Sequence, residues 1–378
     1  MHNLNMHLEA FKAHFCSDPE FIHFNNAGQS LIPDVNRDLA IAWLERFYKE
    51  GAFCSMEGWG QTEVTRQKLA KFIGAKTNEV AFFQTTASAL SQVAASIPLK
   101  SDDEILIWDQ EYPSNFYPWR IAAEKNGAKL TLVESENWQT PAQKILDRVT
   151  AKTRVIAVSW VQFQTGSVTD LRMLSQALKG SGIWLVADVI QGVGVRPFNF
   201  HESGFDVVCG GSHKWLCSSY GASFMAVKEA RMMELEPHAF GAMTFGTPDT
   251  EKSFVIQPKA DSSRYEPGSK SMIEVIAMGE SLDLFTQFGI DNIFKESCRL
   301  GMRLQSGLKE LSFEVISDGP IINFVTNEAL KPQTKLQSIM KNLEDAKISF
   351  ARRGPGVRLS LHAYNKDSEV DRILNLLC

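Results

Sequence analysis

The chain has 378 residues and a formal net charge of −5 at pH 7, with 44% hydrophobic and 22% charged residues. This is the composition of a globular protein with a large core, and the length favours two domains over one. The small negative charge gives no electrostatic reason to expect nucleic acid or an anionic membrane surface as a partner.

Signals for membrane insertion, export and metal binding are missing from the sequence. No apolar run approaches the ~20 residues that a membrane span needs. Residues 1–6 show no basic region leading into an apolar one, so we expect no signal peptide. No H-E-x-x-H pattern occurs, so no metal site is expected. The cysteines form no C-x-x-C pair, which predicts reduced thiols in a cytoplasmic protein; they are Cys16, Cys54, Cys209, Cys217, Cys298 and Cys378.

Apolar runs typical of strands alternate with helical patterns over much of the chain. Leu39, Trp43 and Phe47 recur at helical spacing before Gly51, and Asp170 is a candidate N-cap for a later helix. This alternation predicts an α/β fold whose parallel sheet is covered on both faces, with ligands bound beyond the carboxyl ends of the strands. The candidate strands are residues 80–83, 104–108, 129–133, 154–160, 183–188, 205–209 and 223–227.

The periodic pattern weakens between residues 237 and 267, where Gly, Pro, Ser and Thr are frequent. We interpret this stretch as the connection to a second, smaller domain. The predicted organisation is a large domain of residues 20–250 and a small domain formed by residues 1–19 and 251–378.

An acid and a base follow two of the predicted strands. Asp188 ends the run 184–188, and Lys214 comes shortly after the run 205–209. A pyridoxal phosphate enzyme needs a lysine that forms the Schiff base and a carboxylate that pairs with the pyridinium nitrogen. Either residue alone is more often a solvated loop residue or a cap. Upstream, residues 84–90 place small hydroxyl residues between a strand and a helix, which suits an anion site as well as a simple cap.

These segments, taken together, resemble the class V aminotransferase family, which contains cysteine desulfurases, kynureninase and isopenicillin-N-epimerase-like proteins. The resemblance extends from about Phe21 to the C-terminus. It implies a fold-type-I pyridoxal phosphate enzyme, with a mainly parallel central sheet in the large domain and a smaller α+β C-terminal domain. The cofactor contacts that it implies are Thr86, Ala87, Ser88 and His213 on the phosphate, Tyr112 on the ring face, Gln191 on the ring 3′-oxygen, Asp188 on the ring nitrogen and Lys214 as the Schiff-base lysine.

The resemblance also implies how substrate and subunits meet. Arg358, in the segment 356–365, resembles the arginine that binds the substrate's α-carboxylate, and Asn26 resembles a residue lying against the same carboxylate. Gly268 and Ser269 resemble the segment that reaches the neighbouring subunit's cofactor. A homodimer with shared active sites follows as an expectation.

The sequence departs from the family pattern at three positions. Phe163 stands where desulfurases carry an asparagine near the ring oxygen, and Gly211 stands where a phosphate-binding serine is frequent. Tyr112 replaces the usual histidine of desulfurases, and a tyrosine is a poorer acid or base near neutral pH.

The function that this pattern favours is an aminotransferase acting at the α-carbon of an amino acid, with a lyase, desulfurase-like enzyme or epimerase of the same family as alternatives. Desulfuration is disfavoured because residues 330–357 contain no cysteine to supply the reactive thiolate. Arg352 and Arg353 stand there instead; they could recognise a second acidic group or simply be solvated.

Two further alternatives belong to other classes. A nicotinamide-dependent oxidoreductase finds support only in Gly192 and Gly194, since the full G-x-G-x-x-G fingerprint is absent. A regulator that merely binds the cofactor is disfavoured by the intact Lys214 and Asp188.

Overall fold

The computed structural model describes residues 2–16, 18–245, 257–317, 319–326 and 334–378. The strands are β1 (Ile22–His23), β2 (Val80–Phe83), β3 (Glu104–Trp108), β4 (Lys129–Val133), β5 (Thr153–Ser159), β6 (Trp184–Asp188), β7 (Val207–Gly211), β8 (Ser223–Val227), β9 (Phe313–Val315), β10 (Ile321–Thr326), β11 (Ile348–Ser349), β12 (Ala351–Arg353) and β13 (Gly356–Ser360). The α-helices are α1 (His2–Ala13), α2 (Asp34–Glu50), α3 (Ser55–Ile73), α4 (Thr86–Ser96), α5 (Pro113–Asn126), α6 (Ala142–Leu146), α7 (Leu171–Ala177), α8 (Phe200–Ser203), α9 (Glu229–Met232), α10 (Met272–Phe288), α11 (Ile290–Glu310), α12 (Thr334–Asp345) and α13 (Asp367–Leu377).

A seven-stranded sheet in the order β2-β8-β7-β6-β5-β3-β4 forms the centre of the molecule. Strands β3 to β7 pair in parallel, as the alternation of strands and helices predicts. Strand β8 is antiparallel to both neighbours. It follows β7 through residues 212–222, which contain no crossover helix, and a parallel return would need one. The α/β expectation of a mainly parallel sheet is confirmed.

Alternate residues of the central strands enter two different cores. In β5, Ile156 and Val158 face one side of the sheet, and Val155 and Ala157 face the other. Side chains of α3 and α10 complete the first core, and those of α4 and α5 complete the second. Because both faces are covered, the strands read as continuous apolar runs in the sequence.

The ends of two helices illustrate how local sequence sets the elements. The Asp170 side chain accepts a hydrogen bond from the Met173 amide and caps α7, as predicted. Helix α2 ends at Glu50 and is followed by Gly51, whose φ of 58° lies in the left-handed region that glycine tolerates.

A four-stranded antiparallel sheet in the order β12-β13-β10-β9 forms a second layer, covered by helices α11, α12 and α13. Ile22 and Phe24 belong to the same core, and β1 pairs in parallel with β11. Helix α10 instead packs Val275 and Met278 into the core of the large sheet. The predicted boundary between residues 250 and 251 lies outside the described residues. Among those that are described, no helix is both long and apolar enough to cross a lipid bilayer.

Candidate active site

A cavity of about 400 Å³ opens at the carboxyl edge of the central sheet, where β13 of the small sheet approaches it. It is the edge at which the strand-end rule places ligands. Its walls include most of the residues that the sequence singles out, namely Thr86, Ala87, Tyr112, Asp188, Gln191, His213, Lys214 and Arg358.

Asp188 is the last residue of β6 and stands beside Ser159 and Cys209 in the strand register. Its side chain is 4% exposed, and its Oδ1 accepts a hydrogen bond from the Ile190 amide at 3.0 Å. Burial raises the pKa of Asp188 to about 6, against the opposing influence of that amide and of Lys214. A carboxylate held in this way is stabilised by a cation in the cavity.

Lys214 follows β7 by three residues and lines the same cavity. Burial lowers the pKa of Lys214 to about 8; the Asp188 carboxylate opposes this change, and the positive charges of Arg358 and Arg353 add to it. The ammonium lies 5.5 Å from the centre of the Tyr112 ring. A lysine with a lowered pKa supplies more of the neutral amine, which is the nucleophilic form.

One end of the cavity is formed by the N-terminus of α4. Thr85 caps the helix, because its Oγ1 accepts a hydrogen bond from the Ser88 amide at 3.0 Å. The Thr86 hydroxyl is buried and has no hydrogen-bond partner within the described structure. A Cβ on Gly211 would lie 2.9 Å from that hydroxyl, so a serine there would fill the space. A helix N-terminus that carries a buried hydroxyl without a partner suits an anion such as a phosphate.

One wall of the cavity is rich in aromatic side chains. Tyr112 contacts Phe163 edge to face, with 5.0 Å between ring centres. His213 stacks on Tyr220 at 4.6 Å, and burial together with Lys214 lowers the pKa of His213 to about 4. The imidazole is therefore neutral near pH 7 and can donate or accept one hydrogen bond at each end.

Gln191 is held in place on both sides of its amide. Its Nε2 donates to the Ala27 carbonyl at 3.0 Å, and its Oε1 accepts from Trp215 Nε1 at 2.8 Å. The second hydrogen on Nε2 remains available to the cavity, which is compatible with the role that the family resemblance implies.

Arg358 brings a buried positive charge from β13 into the cavity. Its side chain donates to the Phe163 carbonyl at 2.6 Å and to Asn25 Oδ1 at 3.1 Å. No carboxylate of the described residues pairs with it, and it is 1% exposed. Burial, and secondarily the charge of Arg353, lowers the pKa of Arg358 to about 9. A carboxylate that binds beside Arg358 would pair with this charge and offset the free-energy cost of its burial.

Four of the expected site residues do not line this cavity. Asn26 is fully buried and accepts a hydrogen bond from the Tyr364 hydroxyl at 2.8 Å, so its neighbour Asn25 contacts Arg358 instead. The Ser88 hydroxyl is used in capping α4, where it donates to the Thr85 carbonyl at 2.7 Å. With Gly268 and Ser269, Ser88 lines a second cavity of about 490 Å³.

The structure adds a residue that sequence analysis left unassigned. Glu111 is buried, and its carboxyl group accepts hydrogen bonds from the Ser159 amide at 2.6 Å and from the Ser159 hydroxyl. Burial raises the pKa of Glu111 to about 7, although the Ser159 bonds act the other way. Since Ser159 is paired with Asp188 and lines the cavity, Glu111 fixes one wall of the site. In the sequence, the only indication of this role is that Glu111 directly precedes Tyr112.

A sequence model of the aminotransferase class-V family matches residues 54–373. The chain belongs to this family. Its members use pyridoxal phosphate, and the residues present fit that group: an unpartnered hydroxyl at a helix N-terminus for the phosphate, a buried carboxylate for the ring nitrogen and a buried lysine that lines the same cavity. The protein is therefore a pyridoxal phosphate-dependent enzyme of the class-V family.

Individual relatives of this class-V family enzyme are distant. A probable cysteine desulfurase of Aeropyrum pernix is 24% identical over 353 residues, covering 90% of this chain and 84% of its own. A structure of a lysine-to-alanine variant of C-DES, with glycine covalently linked to its pyridoxal phosphate, superposes with a TM-score of 0.89 at 18% identity, covering 97% of this chain and 98% of the other. The cystine C-S lyase C-DES with cysteine persulfide gives a TM-score of 0.86 at 18% identity, covering 94% and 96%. These likenesses confirm the fold type.

The family assignment overturns the nicotinamide-dependent alternative. At the segment that suggested it, Gly194 has a φ of 106°, and a Cβ there would lie 2.3 Å from the Trp215 carbonyl. Close backbone packing therefore explains this glycine, and residues 191–199 contain no helix to receive a pyrophosphate. Within the described part of the chain, no group of His, Cys, Asp or Glu side chains is arranged to hold a metal ion.

Proposed function

We propose that this class-V family enzyme is an aminotransferase that acts at the α-carbon of an amino acid. The observation that carries the proposal is the buried Arg358 guanidinium, which lies close enough to influence Lys214 and has no carboxylate partner among the described residues. A buried charge of this kind is costly until an anion pairs with it. The α-carboxylate of a substrate is the anion that the site lacks.

Arg358 would orient the substrate before any proton moves. Two of its five N–H groups are used by the Phe163 carbonyl and by Asn25, which fixes the plane of the guanidinium. The remaining N–H groups can bind a carboxylate in a fork. This fixed orientation presents the substrate's α-carbon to Lys214, and alignment of this kind lowers the entropic part of the barrier.

Lys214 would carry the cofactor and move the substrate's α-proton at its Nζ. Its pKa of about 8 allows it to accept a proton and return it near neutral pH. Pyridoxal phosphate, when bound, supplies an electron sink for the carbanion at the α-carbon. Asp188 would hold the ring nitrogen, Tyr112 would lie on the ring face, and Thr86, Ala87 and His213 would hold the phosphate.

A lyase that needs no protein thiol is the second candidate. The names of the relatives favour carbon–sulfur chemistry, and none of the described cysteines lines the cavity. Elimination shares every step up to the carbanion, so the same residues would serve it. The segment expected to supply a desulfurase thiolate carries Arg353 at the cavity instead; its residues 330–333 lie outside the described structure.

A homodimer and a cytoplasmic location complete the proposal. The cavity that contains Ser88, Gly268 and Ser269 is open on the surface of one chain, and the family resemblance supports its completion by a neighbouring subunit. All six cysteines are free thiols, which supports a reducing compartment.

The decisive experiment is a screen of amino acids with the purified holoenzyme, with and without a keto acid acceptor. The products are then identified by mass spectrometry. Transamination yields the keto acid of the substrate and the aminated acceptor. Elimination yields pyruvate or a related keto acid without consuming an acceptor. Racemised amino acid as the sole product would contradict both candidates.

A further inference from the structure

The β12–β13 hairpin decides which of two adjacent arginines faces the site. Ala351 pairs with Arg358 across the two antiparallel strands. Residues two apart on a strand share a face, so Arg353 lies on the same face as Arg358, one diagonal step away. Arg352 lies on the opposite face. Consistently, Arg353 lines the cavity and Arg352 does not.

Arg353 has the features of a side chain whose anionic partner is not part of this chain. Among the described residues no carboxylate forms an ion pair with it, and its only recorded side-chain hydrogen bond goes to the Arg352 carbonyl at 3.0 Å. Its positive charge reaches into the site, where it helps to lower the pKa of Arg358 and Lys214. Arg353 is exposed to solvent, which screens part of its repulsion with the buried Arg358, and an anion bound between the two would remove the rest.

The charges lining the cavity do not balance. Of the described residues that line it, Lys214, Arg353 and Arg358 are basic, and Asp188 is the one with an acidic side chain. The cofactor's ring and imine would use Asp188 and Lys214, its phosphate would lie at the N-terminus of α4 beside Thr86, and Arg358 would take the α-carboxylate. Arg353 is then left without an assigned anion. It is one diagonal step from Arg358, and the Cα atoms of such neighbours lie about 7–8 Å apart. A short dicarboxylate can join the fixed Arg358 guanidinium to the more flexible Arg353 side chain.

We propose that Arg353 binds a carboxylate on the substrate's side chain, so that the preferred substrates are amino acids carrying two carboxylates. This inference rests on the proposed function, because it assigns Arg358 to the α-carboxylate. Phe163 and Tyr112 supply an apolar wall for the methylene groups between the two carboxylates. Arg353 is then a specificity residue that contacts the substrate, and Arg352 is not.

The test compares Arg353→Ala with Arg352→Ala in the holoenzyme, since these variants remove the same charge from opposite faces of one hairpin. Turnover is measured for aspartate, glutamate and 2-aminoadipate against asparagine and glutamine. We expect the wild type to prefer an acidic substrate to its amide about 10-fold or more in kcat/KM, the effect of one charge-assisted contact. Arg353→Ala should lose that preference for the acidic substrate over its amide, and Arg352→Ala should keep it.

A binding measurement separates this inference from the proposed function. Glutarate is butyrate with a second carboxylate at the other end of the chain. Calorimetry measures the binding of both acids, neither of which can be turned over. We expect glutarate to bind the wild type and Arg352→Ala about 10-fold more tightly than it binds Arg353→Ala. Equal binding to all three, or equal losses in both variants, would overturn the assignment of Arg353 even if the enzyme transaminates. Tight Arg353-dependent glutarate binding without turnover of any amino acid would instead overturn the proposed reaction.

Discussion

Asp188 and Lys214 face one buried cavity from the carboxyl ends of two neighbouring parallel strands, and each limits the change that burial imposes on the other. Burial raises the pKa of Asp188 to about 6 and lowers the pKa of Lys214 to about 8, while the opposite charge of the partner counteracts both shifts. The pKa values of the two groups therefore lie on either side of neutrality, where an acid–base catalyst can gain and lose a proton.

Lys214 is expected to be the lysine that binds the cofactor covalently. Borohydride reduction of the holoenzyme followed by peptide mass analysis should find the cofactor on Lys214. Lys214→Ala should lose turnover and the covalent bond, because no other lysine lines the cavity in the described structure. Lys228 is a suitable control, since it follows β8 at the opposite edge of the same sheet. Recovery of the label on any other lysine would refute the assignment.

Asp188 is expected to reduce the stability of the cofactor-free protein as the pH rises. Its ordinary pKa is 3.8 and its folded-state pKa is about 6, so between these values the unfolded chain releases the proton first. Asp188→Asn keeps an oxygen for the Ile190 amide but cannot ionise. Its free energy of unfolding should match that of the wild type near pH 4. Above about pH 7 it should exceed the wild type by on the order of 3 kcal/mol. Urea unfolding of both apoproteins across this range measures the difference.

Cofactor binding should reverse the order of stability of the wild type and Asp188→Asn. A pyridinium in the cavity pairs with the Asp188 carboxylate and not with an amide, so the holoenzyme of the wild type should be the more stable one. Turnover of Asp188→Asn should fall about 10²-fold or more, as when one preorganised charge contact is lost. Near-normal turnover in the variant, or a stability difference that does not change with pH, would contradict this role.

The convergence of Thr86, Asp188 and Lys214 could be predicted from sequence for a definite reason. Asp188 ends a strand of the central sheet, Thr86 and Lys214 each come shortly after another strand of it, and parallel strands bring their carboxyl ends to one edge. The apolar runs were easy to find because both faces of the sheet are buried. Even the antiparallel direction of β8 is consistent with the short connection that precedes it, although the alternation of elements alone suggested a parallel strand.

Residues whose orientation depends on the pairing of distant segments could not be predicted. Asn25 and Asn26 differ by one position, and the bridge between Asn25 and Ser360 sends one side chain to Arg358 and the other to Tyr364. A shift of one residue in an extended segment reverses its faces. The choice between Arg352 and Arg353 depends in the same way on the register of the β12–β13 hairpin.

Glu266 is expected to be important for stability. Its carboxylate accepts two hydrogen bonds from the buried Arg66 guanidinium, at 2.6 and 3.0 Å, and one from the Phe82 amide at 2.8 Å; Lys270 lies 2.6 Å away. Glu266→Gln would leave the two buried cations Arg66 and Lys270 to share one carboxylate, that of the half-exposed Glu63. We expect the free energy of unfolding to fall by about 3 kcal/mol or more in urea titrations.

An exposed ion pair provides the control for Glu266. Glu57 pairs with Arg46 at 2.8 Å on the surface. Solvent screens such a pair, so Glu57→Gln should unfold at nearly the same urea concentration as the wild type. Comparable losses in both variants would show that the buried cluster is no more important than a surface pair. Because Gly268 and Ser269 lie between Glu266 and Lys270, loosening this cluster should also weaken the proposed dimer, which sedimentation can measure.

Catalysis is expected to be independent of every cysteine in the chain. Sulfur transfer through a protein persulfide needs a thiolate that reaches the substrate. Cys209 and Cys217 are buried, and burial raises the pKa of both thiols well above the ordinary value. None of the described cysteines lines the cavity, so Cys16→Ser, Cys298→Ser and Cys378→Ser, singly and together, should leave kcat/KM largely unchanged. Alanine at the buried positions should reduce stability through lost packing, with little effect on turnover. The prediction would be wrong if cysteine as substrate gave alanine together with a protein-bound persulfide, and if that persulfide were lost in one of these variants. The enzyme would then be a cysteine desulfurase.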